Sequence, residues 1–230
     1  MYRYFAALAL VAPLTANATM ISFDSDDANY LGLSDSYTGL VACGSGDRCA
    51  DTQTWDLAGG LSITASSYIR TPSAPSTFDH SASVLWHDAN PGKGGLGSAA
   101  RADLGDSGAD NNTGYESIHL TFSEAVTLES LFFNGNHAAF ADDMFVGFDW
   151  DGSSFAYYLD DYYTTGTIDV NYMVTDIYIE PDWSLNPEGS VDPWYLSGLS
   201  FSRVPEPSSL LILGLGLLGL GLERKKITIS

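Results

Sequence analysis

Oxygen-bearing side chains dominate the chemistry this chain could perform. Carboxylates and amides gather at Asp24, Asp26 and Asp27, at Asp106, Asp110, Asn111 and Asn112, at Asp142 and Asp143, at Asp149 and Asp151, and at Asp160 and Asp161. Hard cations take such ligands from turns, so calcium is the cofactor these clusters allow, with Asp106, Asp110, Asn112, Asp149 and Asp151 as candidate ligands. None forms an EF-hand loop, and each cluster reads equally well as a solvated turn. The histidines, at 80, 87, 119 and 137, include no pair at helical metal-ligand spacing. His119 falls on the polar side of its segment and is expected to be exposed, while His80 and His87 could meet across a loop. Carboxylate pairs for glycoside hydrolysis have no local signature here, because so many acids always permit some pair. Flat rings stack on sugar faces. Trp183 and Trp194, in proline-containing irregular segments, are the expected exposed rings, and Trp55, Trp86 and Trp150 are expected in the core.

Covalent chemistry finds less support. Gly105-Asp106-Ser107-Gly108 resembles the nucleophile stretch of trypsin-like serine proteases, but Ala109 stands where that family has another glycine. His80 and His87 precede it by only about 20 to 27 residues, against a base-to-nucleophile spacing on the order of a hundred in that template. The segment reads as a turn. The glycines around Lys93 lack phosphate-loop spacing and a following Ser or Thr. No enzymatic activity is expected, and a secreted hydrolase ranks third among the functional readings.

The elements that must position these residues are strands. Ile118, Leu120 and Phe122 alternate with polar residues, and Val126 to Phe133 follows after Ser123-Glu124-Ala125 as the second arm of an expected hairpin. Met144, Val146, Phe148 and Trp150 form another alternating face, and Asp151-Gly152-Ser153-Ser154 turns the chain into Phe155 to Leu159. Ile63 to Ile69, Val84 to His87, Met173 to Ile179 and Tyr195 to Phe201 supply further strands. Residues 24 to 60, 88 to 115, 160 to 172 and 181 to 194 read as irregular. Such a pattern predicts an all-β, antiparallel β-sandwich, jelly-roll-like, with no amphipathic helix.

Both ends differ from this middle. Arg3, the apolar stretch Phe5 to Leu14 and Ala16-Asn17-Ala18 predict a signal peptide over residues 1–18, removed by signal peptidase. At the other end, Val204-Pro205-Glu206-Pro207 precedes the apolar run Leu210 to Leu222 and the basic Arg224, Lys225 and Lys226. The prolines fix φ and lack amide hydrogens, so the motif is expected to be extended. The run of Leu210 to Leu222 is roughly 20 Å long as a helix, short against a hydrocarbon core of about 30 Å. The basic cluster would remain cytoplasmic. Motif, apolar segment and basic end, in this order, resemble the PEP-CTERM sorting signal of bacterial surface proteins. The resemblance implies recognition of Val204, Pro205, Glu206 and Pro207 by an exosortase, and transient inner-membrane anchoring through a helix over 208–222 with a basic end at 223–226. The chain thus divides into a signal peptide (1–18), an extracellular β-domain (19–203) and a sorting signal (204–230).

Cys43 and Cys49 are the only cysteines, and in an exported protein their spacing predicts a disulfide around a small loop. Charge narrows the partners. Of 29 acids only Glu206 and Glu223 lie beyond Arg203, and no Lys or Arg occurs between Arg101 and Arg203. With a net charge of −20 the chain repels phosphates, which excludes nucleic acid as a partner. The expected role is that of a non-enzymatic structural or interaction protein, at the surface or in the extracellular matrix of a Gram-negative bacterium. A calcium- or carbohydrate-binding module acting on exopolysaccharide is the alternative.

Overall fold

The computed structural model describes residues 18–24, 34–41, 48–71, 74–88, 94–101, 104, 116–135, 142–151, 154–163, 166–181 and 194–204. The segments 1–17 and 205–230 lie outside these, as do Cys43, Asp106, Asp110, Asn112 and Trp183. Among the described residues the one helical element is a 3₁₀ turn, Ala58–Gly60. No helix there is long and apolar enough to cross a membrane.

Thirteen strands form one sheet in which every pairing is antiparallel. They are β1 (Thr19–Ser22), β2 (Ser34–Thr38), β3 (Arg48–Ala50), β4 (Thr52–Asp56), β5 (Ser62–Thr71), β6 (Ala74–Asp79), β7 (Ser83–Asp88), β8 (Gly95–Ala100), β9 (Glu116–Gly135), β10 (Asp142–Trp150), β11 (Phe155–Tyr163), β12 (Thr167–Pro181) and β13 (Trp194–Arg203). The alternating segments of the sequence are all strands. Six further strands, β1, β2, β3, β4, β6 and β8, arise from stretches where no periodicity announces them.

The expected hairpin over 116–133 does not form. Both arms belong to β9, a single strand of 20 residues. Ser123-Glu124-Ala125 offers neither glycine nor proline to reverse the chain, and it becomes a bulge instead. Opposite it, β12 advances from Val174 to Asp176 while β9 runs from Val126 back to Thr121. β12 follows one edge of β9 along both halves. The other edge is divided between β5, on residues 116–122, and β13, on residues 126–135. Two limbs therefore leave the same edge of β9, one through β5 to β4 and β2, the other through β13 to β8, β7 and β3.

The core lies between these limbs and the inner face of β9, β10 and β12. Ile63, Ala65, Ile118, Leu120, Leu131, Val146, Ile177, Leu196 and Leu199 are fully buried in it. A buried hydrogen bond of 2.9 Å from Ser67 Oγ to Ser83 Oγ ties β5 to β7, which are not sheet partners. Trp194 belongs to this core. It is 0% exposed and packs edge-on against Phe133, so it is not the exposed ring expected beside its prolines. The apolar run Tyr195-Leu196 after it pulls the segment into the centre of the sheet. Trp55 and Trp86 are buried as expected, whereas Trp150, expected with them in the core, is only half-buried at the end of β10.

The chain enters and leaves the sheet at one end. Thr19 of β1 faces Phe201 of β13, close to the last strand residue, Arg203. Their close approach needs Gly198, where a Cβ would lie 2.5 Å from the carbonyl oxygen of Ile21.

Candidate functional site

Strand alternation sends the odd-numbered residues of β5 and the even-numbered residues at the start of β9 inward, and their neighbours form an outer face. Register then aligns polar side chains from strands distant in sequence. Thr54, Thr64, Thr121 and Asp176 make one row across β4, β5, β9 and β12, and Thr52, Ser66, His119 and Tyr178 make the next. Thr54 and Thr64 share a hydrogen bond of 2.9 Å.

His119 is the centre of this face. Its Nε2 donates to Asp176 Oδ1 at 2.9 Å, and Thr121 Oγ1 donates to the same oxygen at 2.9 Å. With its side chain only 16% exposed, His119 is not the solvated residue its polar neighbours suggested. The pair is built by the bulge: Asp149 Oδ1 accepts from Thr175 N (2.8 Å), Thr175 Oγ1 (3.0 Å) and Asp176 N (3.0 Å). These bonds brace β12 where its register shifts. The hydrogen bond from His119, and then that from Thr121, holds the Asp176 carboxyl below its ordinary value despite opposing burial. Tyr178 stacks under the imidazole at 4.1 Å and 11°. Burial, with the charges of Asp176 and Asp149, pushes its hydroxyl up to about 12, so it stays protonated.

His80 meets His119, with ring centroids 6.0 Å apart, rather than His87. His87 is buried and bonded to the carbonyl of Phe23 at 2.9 Å. His80 Nδ1 donates to the carbonyl of Ser67 at 2.8 Å, which leaves Nε2 as an acceptor in the neutral ring. These histidines, with Asp51, Thr52, Ser66, Ser81, Arg101 and Thr121, line an open cleft of about 780 Å³. At its rim Arg101 is ion-paired with Asp51 and donates to the Ser81 carbonyl at 3.0 Å. The hydroxyls of Thr52 and Ser66 have no hydrogen-bond partner among the described residues.

Beside the polar rows lies an aromatic ledge. Phe155 covers Gly147, where a Cβ would lie 2.6 Å from the ring, and it contacts Trp150, Tyr178 and Phe145 at 4.8, 5.3 and 5.3 Å between centroids. Beneath it Glu180, fully buried, accepts from Arg70 at 2.9 Å on both oxygens and from Tyr68 Oη at 2.7 Å. Burial, then the Glu180 charge, raises the Tyr68 hydroxyl well above its ordinary value.

The calcium candidates inside the described region are otherwise engaged. Asp149 braces the bulge, and Asp151 closes the expected turn by accepting from Ser154 N at 2.8 Å. Among the described residues no group of three or more His, Cys, Asp or Glu is placed to hold a metal. Cys49 is buried on β3, while its expected partner Cys43 lies outside the described residues.

A second functional region is the exit of the chain. Arg203 is held by Glu124 Oε1 at 3.1 Å from Nε and by the carbonyl of Gly59 at 3.0 Å from Nη2. Gly59, at φ +76°, allows this approach; a Cβ there would lie 2.4 Å from Nη1. Val204 follows directly, exposed.

The model of the PEP-CTERM protein-sorting motif matches residues 203–225, beginning on this anchored arginine. The match marks an exported protein, sorted to the cell surface in dependence on an exosortase. No curated protein matches the chain.

Proposed function

We propose that this chain is a surface or extracellular-matrix protein of a Gram-negative bacterium, with a non-enzymatic structural or interaction role. An exosortase would process it within Val204 to Pro207. The observation that carries this reading is the match of the PEP-CTERM protein-sorting motif to residues 203–225, at the end of the last strand. The domain spans residues 19–203 as a β-sandwich, a reading that the antiparallel pairing and the core between the two limbs support.

Residues 1–18 act as a signal peptide and 208–222 as a transient inner-membrane helix. The adjacency of Thr19 and Phe201 supports a shared membrane origin for both segments. Cys43 and Cys49 form a disulfide, in keeping with the absence of a free cysteine among the described residues. Deleting residues 204–230 tests the reading by fractionation of the producing bacterium. The expected result is accumulation of the truncated chain in the periplasm and its loss from the surface. Unchanged surface delivery would show that the tail does not direct sorting.

A further inference from the structure

We propose that the cleft between His80 and His119 binds a neutral polysaccharide strand. This identifies the ligand of the interaction role proposed above, and rests on that role. Four observations carry it. First, the lining brings hydrogen-bonding groups together from several strands: Thr52 and Ser66 bring hydroxyls that can donate and accept, Ser81 and Thr121, whose hydrogens go to Asp79 and Asp176, bring acceptor oxygens, and the two imidazoles bring acceptors. The hydroxyls of Thr52 and Ser66 make no hydrogen bond among the described residues, and they sit opposite one another across β4 and β5.

Second, the imidazoles are fixed in advance. His119 is held by Asp176 and stacked on Tyr178, and His80 is held by the Ser67 carbonyl. Each therefore directs its remaining nitrogen without a further ordering cost on binding.

Third, charge selects against the alternatives. Arg101, the cation in the cleft, is already matched by Asp51, and Asp176 stands behind His119 in a chain of net charge −20. Phosphates and acidic sugars are repelled. Among the described residues no group of three or more His, Cys, Asp or Glu is placed to take a divalent cation. An apolar ligand would cover the Thr52 and Ser66 hydroxyls without giving them partners. An uncharged, polyhydroxylated ligand satisfies all of these conditions.

Fourth, the shape suits a chain more than a small polyol. The cleft, about 780 Å³, is open rather than enclosed, and beyond His119 and the buried Tyr178 stacked on it lie the half-buried rings of Phe155 and Trp150. Extended sugars use such rings for stacking, which gives a polymer contacts a free polyol cannot reach.

The test uses the full-length chain in zwitterionic micelles on an array of neutral and acidic microbial oligosaccharides, with glycerol and alginate as separate probes. We expect binding to at least one neutral oligosaccharide, none to alginate, and only weak binding to glycerol. Thr52→Val combined with Ser66→Ala should weaken the neutral ligand about tenfold, the scale of one or two lost hydrogen bonds, with an unchanged melting temperature. His119→Phe keeps the stack and loses the acceptor, so it should weaken binding by a similar factor. The Hε1 resonances of His80 and His119 should shift on titration with the neutral ligand. Absence of any neutral binder, tighter binding of alginate, or a double variant that binds as well as the parent would overturn the proposal. Sorting is read separately, by fractionation of the tail deletion, so failure of one leaves the other standing.

Discussion

Replacing Arg70 by methionine should expose how the outer face is held together. The guanidinium reaches both oxygens of Glu180 at 2.9 Å, with the arginine side chain 11% exposed and the carboxylate 0%. Methionine preserves most of the packing against Phe78 and Phe155, over whose rings Arg70 lies at 5.6 and 6.0 Å. It removes the countercharge and leaves Tyr68 Oη on the carboxylate. Breaking a buried pair in this way costs roughly 3–5 kcal/mol, because the remaining charge stays desolvated. For a domain of this size that is about 6–20 °C in melting temperature. Replacing Glu180 by glutamine as well should recover part of the loss, since no buried charge remains. Thermal and urea unfolding of the single and double variants measure both terms.

The pH dependence supplies a sharper check. A carboxyl deprived of its partner takes up its proton more readily in the folded state than in the unfolded chain. The deficit of Arg70→Met should then be smallest below about pH 4, near the unfolded value, and grow as pH rises. A loss under about 1 kcal/mol, or a deficit that does not change with pH, would refute the idea that Glu180 is a buried charge held by Arg70.

Trp194→Ala should cost about 3–5 kcal/mol in denaturant unfolding, as befits a core residue; a change within about 0.5 kcal/mol would return it to the surface. Gly198→Ala sets a methyl against the Ile21 carbonyl and should raise amide exchange at Thr19 to Ser22 well above that of β9. The Asp176 carboxyl is held below its ordinary value, so its contribution to stability is present above about pH 4 and is lost as pH falls through the depressed value. Asp176→Asn should accordingly flatten the acid limb of the stability profile. Glu124→Ala removes an exposed pair with Arg203 and should change stability by less than about 1 kcal/mol.

The strands with a buried inner face were legible in the sequence because alternation reports burial directly: Ile118-His119-Leu120-Thr121-Phe122 and Met144 to Trp150 needed no tertiary information. Strands on polar ground, such as Thr52 to Asp56 and Gly95 to Ala100, carried no such signal. Their pairing is fixed by neighbours, not by their own composition. The hairpin expected at Ser123-Glu124-Ala125 failed for a related reason. Nothing local distinguishes a bulge from a loop when the strand's edge is shared by two distant partners. Trp194 was misjudged from its prolines, which govern the chain before it and not the apolar residues after it. The cleft could not be read at all, since His119 and Asp176 meet only across the pairing of β9 with β12, and His80 reaches them from the turn after β6. The polar phase of each strand could have nominated them singly. The sorting signal was the opposite case, a contiguous pattern that depends on no fold.

The most direct test of the sorting reading is the intact mass and cellular location of the protein in its producing bacterium, with a tag inserted in a loop of the β-domain. Material outside the inner membrane that lacks residues 1–18 and ends near Pro205 to Pro207 is the predicted result. A chain intact through Ser230 and held in the inner membrane would contradict it, and would make the tail a permanent anchor for a periplasmic domain.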